Sequence, residues 1–166
     1  MRLVIAGIVL FLVAGCSSEQ SVAAGKPGNT KTALMVTYVI NEPFDVAKDN
    51  VKDALIDKGL KINTVAHISD MLKRTGKDLG NPSNIYTKAE NIEFCSATVS
   101  RNTMQASPHN IIYCPYIISI YSLKANPKVT YISYRRMPKV KDAKSNKALQ
   151  AVEKLLDEIA KTASES

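Results

Sequence analysis

The sequence lacks the motifs that identify several large classes of enzyme. It has no phosphate-binding loop, no Gly-x-Ser-x-Gly turn that would present a nucleophilic serine, and no Cys-x-x-Cys pair. These absences argue against nucleotide hydrolases, α/β-hydrolases, dithiol oxidoreductases and proteins with covalently attached haem. We therefore expect a protein that is not an enzyme.

The chain also lacks a hydrophobic segment long enough to span a bilayer, which requires about 20 apolar residues. The apolar run at the N-terminus extends only from Leu3 to Val13, after the positively charged Arg2. This pattern predicts an export signal over residues 1–15. Small residues lead directly into Cys16, as in the bacterial lipobox, so we expect cleavage before Cys16 and a lipid such as palmitate on that cysteine.

Residues 16–32 are rich in Ser, Gly, Ala and Asn and carry few large apolar side chains. Such a segment cannot bury enough surface to offset the entropy lost on ordering, so it is predicted to be a flexible tether. Residues 33–166 are then a single domain. Ser17, and not Asp, follows the predicted lipidated cysteine. Resemblance to enterobacterial lipoproteins then implies a protein of the envelope, on the outer membrane facing the periplasm.

Lysine and arginine total 22 residues, against 15 aspartates and glutamates. A basic surplus is often a sign of nucleic-acid binding, but export argues against that partner. We interpret the surplus as a solvated face that sits well against anionic headgroups. The membrane, reached through the lipid on Cys16, is thus the first expected partner.

Apolar periodicity and turn residues predict alternating strands and helices, followed by a hairpin. We expect caps at Asn41, Ser69 and Ser100, and a turn at Asn126-Pro127. Late consecutive strands indicate an α+β domain, with a mostly antiparallel sheet and helices on one face. The predicted strands are Ala33–Ile40, Leu60–Ala66, Ile92–Val99, Tyr116–Leu123 and Val129–Tyr134, and the predicted helices are 43–58, Asp70–Leu79, Ser100–Ser107 and one from Ser145 onward.

The central stretch resembles the domain of unknown function 302 family, in an exported lipoprotein version. The resemblance rests on Phe94-Cys95-Ser96, Met104-Gln105-Ala106 with Pro108, Cys114-Pro115, Tyr121 and Ser133-Tyr134. It implies a β-α-β domain with a curved antiparallel sheet, similar to TATA-binding-protein-like folds, and is compatible with a homodimer. It implies no activity. Cys95, Ser96 and Cys114 stand where many relatives carry Gly, Asn and Leu.

Cys95 and Cys114 are the two cysteines of the predicted domain. In an oxidising compartment such a pair usually forms a disulfide, and closing a loop of this size is worth about 3 kcal/mol in the chain-entropy model. We therefore predict a structural disulfide and expect no cofactor. The alternative is a periplasmic redox or metal protein, in which His109, His67 and Met104 join the cysteines to bind copper or haem. Their spacing matches no known metal motif.

Two further features could bind a ligand. Tyr121 and Tyr134, on the predicted hairpin, could line a groove, although tyrosines on a hairpin are also ordinary cross-strand packing. Arg135-Arg136 could clamp an anion, although a solvated strand end is the simpler interpretation. The sequence therefore predicts a lipid-anchored, non-catalytic domain that binds a small ligand or an envelope protein.

Overall fold

The computed structural model describes residues 29–166. The predicted signal peptide, Cys16 and most of the predicted tether lie outside these residues. No helix within residues 29–166 is both long enough and apolar enough to cross a bilayer. The elements in chain order are β1 (Thr30–Lys31), β2 (Met35–Ile40), α1 (Phe44–Asp57), β3 (Lys61–His67), α2 (Ile68–Gly76), β4 (Tyr86–Cys95), α3 (Ala97–Ala106), a 3₁₀ helix (Pro108–Tyr113), β5 (Tyr116–Leu123), β6 (Asn126–Arg135) and α4 (Ala143–Glu165).

The six strands form one antiparallel sheet in the order β1-β2-β6-β5-β4-β3, which confirms the predicted α+β class. The predicted hairpin is β5 and β6. Its turn is not at Asn126-Pro127, because Asn126 already pairs with Leu123. Lys124 and Ala125 make the turn instead, and Pro127 is tolerated inside the strand near its exposed beginning. Thr30 and Lys31, at the end of the predicted tether, form the edge strand β1.

Helices α1 and α4 pack against one face of the sheet and against each other. The apolar stripe predicted for the last helix is buried, as is the one predicted for α1. Every second residue of the strands packs against these two helical stripes, because successive side chains on a strand point to opposite faces of the sheet. The buried core includes Val51, Leu55, Ile92, Phe94, Ile118, Ile120, Ile132, Leu149, Val152, Leu156 and Ile159.

Helix α1 ends as predicted. Gly59 adopts a positive φ of 65°, and its N–H bonds the carbonyl of Ile56, while the N–H of Leu60 bonds the carbonyl of Leu55. This pair of bonds satisfies the last carbonyls of the helix and turns the chain into β3. The start differs from the prediction: Pro43 occupies the capping position, and no side chain caps the helix.

Helix α2 begins at Ile68, before the predicted cap Ser69, and ends at Gly76 rather than Leu79. A glycine normally weakens a helix by about 1 kcal/mol relative to alanine. Here the chain turns back on the helix, and a Cβ on Gly76 would lie 2.6 Å from the carbonyl oxygen of Asn81. The close approach of that backbone requires the glycine.

The predicted strand Ile92–Val99 is displaced toward the N-terminus, because β4 spans Tyr86–Cys95. The chain leaves the sheet at Ser96, whose hydroxyl accepts a hydrogen bond from the N–H of Val99 at 3.3 Å. Ser96, and not Ser100, therefore caps α3. β-branched side chains after Ser96 favoured a strand, but the cap starts the helix three residues earlier than predicted.

Candidate functional site

The fold brings the two cysteines together. Cys95 ends β4 and Cys114 follows the 3₁₀ helix, and both are half-buried free thiols. Burial, followed by the neighbouring Cys114, raises the pKa of the Cys95 thiol. The Cys114 Sγ lies 3.5 Å from the Oγ of Ser100, and Asn63 Nδ2 lies 3.7 Å from Cys95 Sγ. A thiol with a raised pKa is a poor nucleophile at neutral pH. The predicted disulfide stays a prediction.

The structure does not bring His67 to the cysteines. His67 lies opposite Glu90 in the β3–β4 pairing, whereas Cys95 lies opposite Lys61 at the other end of β3. At about 3.3 Å per residue, that places His67 and Cys95 roughly 20 Å apart. The imidazole Nδ1 contacts the Glu90 Oε1 at 3.1 Å. His67 therefore belongs to an ion-pair cluster at the far end of the sheet.

His109 is exposed on the 3₁₀ helix, and Met104 is half-buried in α3. Within residues 29–166, no three side chains of the His, Cys, Asp and Glu types are grouped so that they could hold a metal ion. The set of His109, His67, Met104, Cys95 and Cys114 is thus not assembled into one site, because His67 alone lies at the opposite end of β3.

Tyr121 and Tyr134 lie on opposite faces of the sheet. Tyr121 is on the face away from α1 and α4, stacked on Tyr131 with ring centroids 5.0 Å apart. Tyr134 is buried on the helix-covered face, and its hydroxyl donates to Asp157 Oδ1 at 2.6 Å. The two tyrosines therefore do not line a common groove, although Tyr134 borders the one described next.

A groove of about 850 Å³ lies at the end of the sheet where β2 and β5 begin and β6 ends. Residues of three chain segments line it: 33–35 before and at the start of β2, 112–117 except Cys114 from the end of the 3₁₀ helix into β5, and 135–138 from the last residue of β6 onward. Met35, Ile117 and Arg135 alternate with buried residues along their strands, so they belong to the face that α1 and α4 leave open. We call this space the sheet-end groove; its lining is completed by Asn91, Ser119, Tyr134 and Leu156.

Large apolar side chains are exposed around the sheet-end groove. Leu34 is 78% exposed, Ile112 is 75% exposed and Met35 is 44% exposed. A single exposed apolar side chain is ordinary, but several around one concave surface mark a binding site. Its volume falls in the range of small-molecule sites, about 300–1,000 Å³.

Among residues 29–166, two arginines provide the only charge in the lining, and they differ in environment. Arg136 is engaged by Glu153, with Nε–Oε1 and Nη2–Oε1 distances of 2.8 and 2.7 Å. Arg135 is exposed and makes no ion pair with any residue from 29 to 166. The lining contains no Asp, Glu, Lys, His or Cys. The groove is thus apolar, acid-free and positively charged on one side.

A polar cluster that includes two buried tyrosines joins α4 to the sheet next to the groove. The hydroxyls of Tyr38 and Tyr134 both donate to Asp157 Oδ1, at 2.9 and 2.6 Å, and Lys31 Nζ lies 3.7 Å from the same oxygen. Burial and the bond to Asp157 raise the pKa of Tyr38 to about 12. Burial alone would raise the pKa of Asp157, but the hydrogen bonds from Tyr134 and Tyr38, together with the nearby Lys31, outweigh it and lower that pKa.

The sequence alone did not reveal the groove. The sequence predicts Arg135 as a possible anion ligand, whereas Leu34, Met35 and Ile112 resemble ordinary strand and turn residues. They lie far apart in the chain and meet only because β2 and β5 both pair with β6, one on each side of it. A sequence signal did exist in the apolar Ile111-Ile112 pair within a polar loop, which the 3₁₀ helix leaves exposed.

Comparison with known proteins agrees with this fold. No curated protein matches the chain. A crystal structure of an uncharacterised conserved DUF302 protein from Bacillus stearothermophilus superposes with a TM-score of 0.65 at 12% identity, over 80% of this chain and 99% of that chain. At that identity the likeness concerns the fold alone. The model of the domain of unknown function DUF302 matches residues 36–163, and the chain therefore belongs to the DUF302 family.

Proposed function

We propose that this protein is an exported, lipid-anchored, non-catalytic binding protein whose sheet-end groove holds a small ligand. The observation that carries the proposal is the groove itself, with its apolar lining and exposed rim. The groove is a preformed concave site of suitable volume, and its polar groups are few and localised, as in known ligand sites.

The lining supports binding rather than catalysis. Its titratable side chains are tyrosines and arginines, and the lining formed by residues 29–166 contains no histidine or carboxyl group. General acid–base catalysis needs a group that titrates near the working pH, such as histidine or a perturbed carboxyl. Histidine and carboxyl side chains lie elsewhere in the described part of the chain, including the Glu90 and His67 pair.

Lipid on Cys16 would place the domain at a membrane surface. Fully extended chain spans at most about 3.3–3.6 Å per residue, so the stretch from Cys16 to Thr30 reaches at most roughly 50 Å. The domain would remain within that distance of the bilayer. The proposed disulfide between Cys95 and Cys114 would lie beside the groove and fix the segment carrying Tyr113 and Pro115.

Native mass spectrometry of the full chain isolated from envelopes tests the ligand-binding part. We expect one bound small molecule per wild-type chain and its loss in Ser119→Trp, which places an indole in the groove. Ser83→Trp, in an exposed loop outside the lining, is the matched control. Ile112→Asp, at an exposed rim position, provides a second loss variant that leaves the core intact.

Two results would refute the binding function: a wild-type chain without any bound molecule, or identical occupancy in all four proteins. The anchor is tested separately. Cys16→Ser should move the protein from the membrane fraction to the soluble fraction, and persistence in the membrane fraction would refute lipidation as the tether.

A further inference from the structure

The sheet-end groove has a charge pattern that specifies a class of ligand. We propose that it binds a single-chain amphiphile with an anionic head, with the head at Arg135 and the hydrocarbon chain along the apolar lining. This inference rests on the proposed binding function and names the ligand class for the same site.

Arg135 is the head-group ligand because its guanidinium is exposed and makes no ion pair within residues 29–166. Arg136, beside it, is already held by Glu153, whose second oxygen also accepts the N–H of Met137 at 3.0 Å. No carboxylate in the lining competes for Arg135. A planar guanidinium binds carboxylate and phosphate groups in a bidentate manner, so it suits either kind of head.

The remainder of the lining suits a hydrocarbon chain. Met35 and Met137 have unbranched, adaptable side chains that pack against irregular apolar shapes. Pro115 and Ile117 continue the apolar surface, and Ile112 stands exposed at the rim. A chain covering these residues would remove from water the large apolar surface that the isolated domain exposes.

Two other occupants fit less well. A symmetric dimer centred on the groove would place the same patch of both copies face to face, which brings two unpaired Arg135 side chains toward each other at an energetic cost. The segment 17–28 of this chain has Val22 as its single large apolar residue, so it offers little to an apolar groove. An anionic amphiphile complements both the charge and the apolar surface.

The test uses the full chain carrying Cys16→Ser, so that no attached lipid or detergent competes. Binding of dodecanoate, dodecyl phosphate, dodecanol and dodecyltrimethylammonium is measured by isothermal titration calorimetry below their aggregation concentrations. We expect dodecanoate or dodecyl phosphate to bind about tenfold or more tightly than the neutral and cationic probes, because a charge-assisted hydrogen bond forms only with an anion. The tighter of the two anions identifies the head group.

Arg135→Gln should weaken binding of the anionic probe about tenfold and leave dodecanol binding unchanged. Arg74→Gln, which alters an equally exposed arginine of α2 outside the groove, is the control and should bind as the parent does. Ser119→Trp should weaken all the probes that bind.

Equal binding of all head groups, or no effect of Arg135→Gln, would overturn the inference and leave the proposed binding function standing. If no probe binds but the native protein carries a different molecule, the inference is likewise overturned and the proposed binding function still stands. Light scattering that shows a dimer which Ile112→Asp dissociates would overturn it in favour of a second copy as the occupant. Absence of any native ligand would refute both the inference and the proposed function.

Discussion

Replacement of Asp157 by alanine should destabilise the domain through the two buried tyrosines that depend on it. Tyr38 and Tyr134 are each 3% exposed, and both hydroxyls donate to Asp157 Oδ1. Alanine removes the common acceptor without filling the space. Both hydroxyls would then be buried without their partner, which is more costly than losing an exposed hydrogen bond.

The expected loss follows from the number and type of these bonds. A hydrogen bond to a charged group contributes about 1.5–3 kcal/mol. The Asp157 side chain is 34% exposed, so water can partly replace it and screening reduces its contribution. For two bonds we therefore expect Asp157→Ala to lower the free energy of unfolding by about 2–4 kcal/mol. Asp157→Asn keeps a neutral acceptor and should cost roughly half as much.

Urea denaturation measures these losses. The control is Asp53→Ala on the exposed side of α1, an aspartate that forms no ion pair with residues 29–166. A double-mutant cycle isolates the interaction: Asp157→Ala should cost about 1–2 kcal/mol less when Tyr134 is already phenylalanine. A loss of less than about 0.5 kcal/mol, the usual effect of a surface substitution, would refute the reasoning, as would a coupling energy of zero.

The acid dependence has a definite sign. The folded pKa of Asp157 lies below its usual 3.8, so its stabilisation is complete above the unfolded pKa and is lost as the pH falls through the folded pKa. Wild type and Asp157→Asn should therefore differ most near neutral pH and converge as the pH falls through the folded pKa of Asp157. A difference that stays constant down to pH 2 would contradict the assigned role.

Further predictions concern other parts of the domain. Gly76→Ala should destabilise it by about 1–3 kcal/mol in urea denaturation, because the new Cβ would meet the neighbouring backbone at 2.6 Å; a gain in stability would contradict this. Ser96→Ala should lower the free energy of unfolding by about 1 kcal/mol and Ser69→Ala by less than about 0.5 kcal/mol, because Ser96 caps a helix and Ser69 does not. Tyr38, with its pKa raised to about 12, should cause stability to fall as the pH rises from about 10 to 12, and Tyr38→Phe should remove that part of the fall. Protein exported to an oxidising compartment should contain no free thiol in a thiol-reagent count, and Cys114→Ala should cost about 3 kcal/mol; free thiols or stoichiometric metal would contradict the disulfide.

Local patterns predicted the elements well wherever one periodicity dominated. The stripe from Leu149 to Ile159 is buried as expected, because residues three and four apart share one face of a helix. Gly59 ends α1 because its backbone adopts a positive φ readily. The predicted boundaries were wrong where a polar side chain caps a helix within a β-branched run. Ser96 caps α3 inside the segment Ile92–Val99, which was predicted to be a strand.

The sequence by itself determined the α+β class, the hairpin, the helix-covered face of the sheet and the family, because these follow from local periodicity, turn residues and the central motif. Only the tertiary structure decided which residues from distant parts of the chain lie next to one another. Pairing of β6 with both β2 and β5 brings Met35, Arg135 and Ile117 to one end of the sheet and puts Tyr121 and Tyr134 on opposite faces. The register of β3 against β4 separates His67 from Cys95. Strand order depends on contacts between residues distant in the chain, and no local pattern encodes them. For that reason the sheet-end groove could be found only in the folded domain.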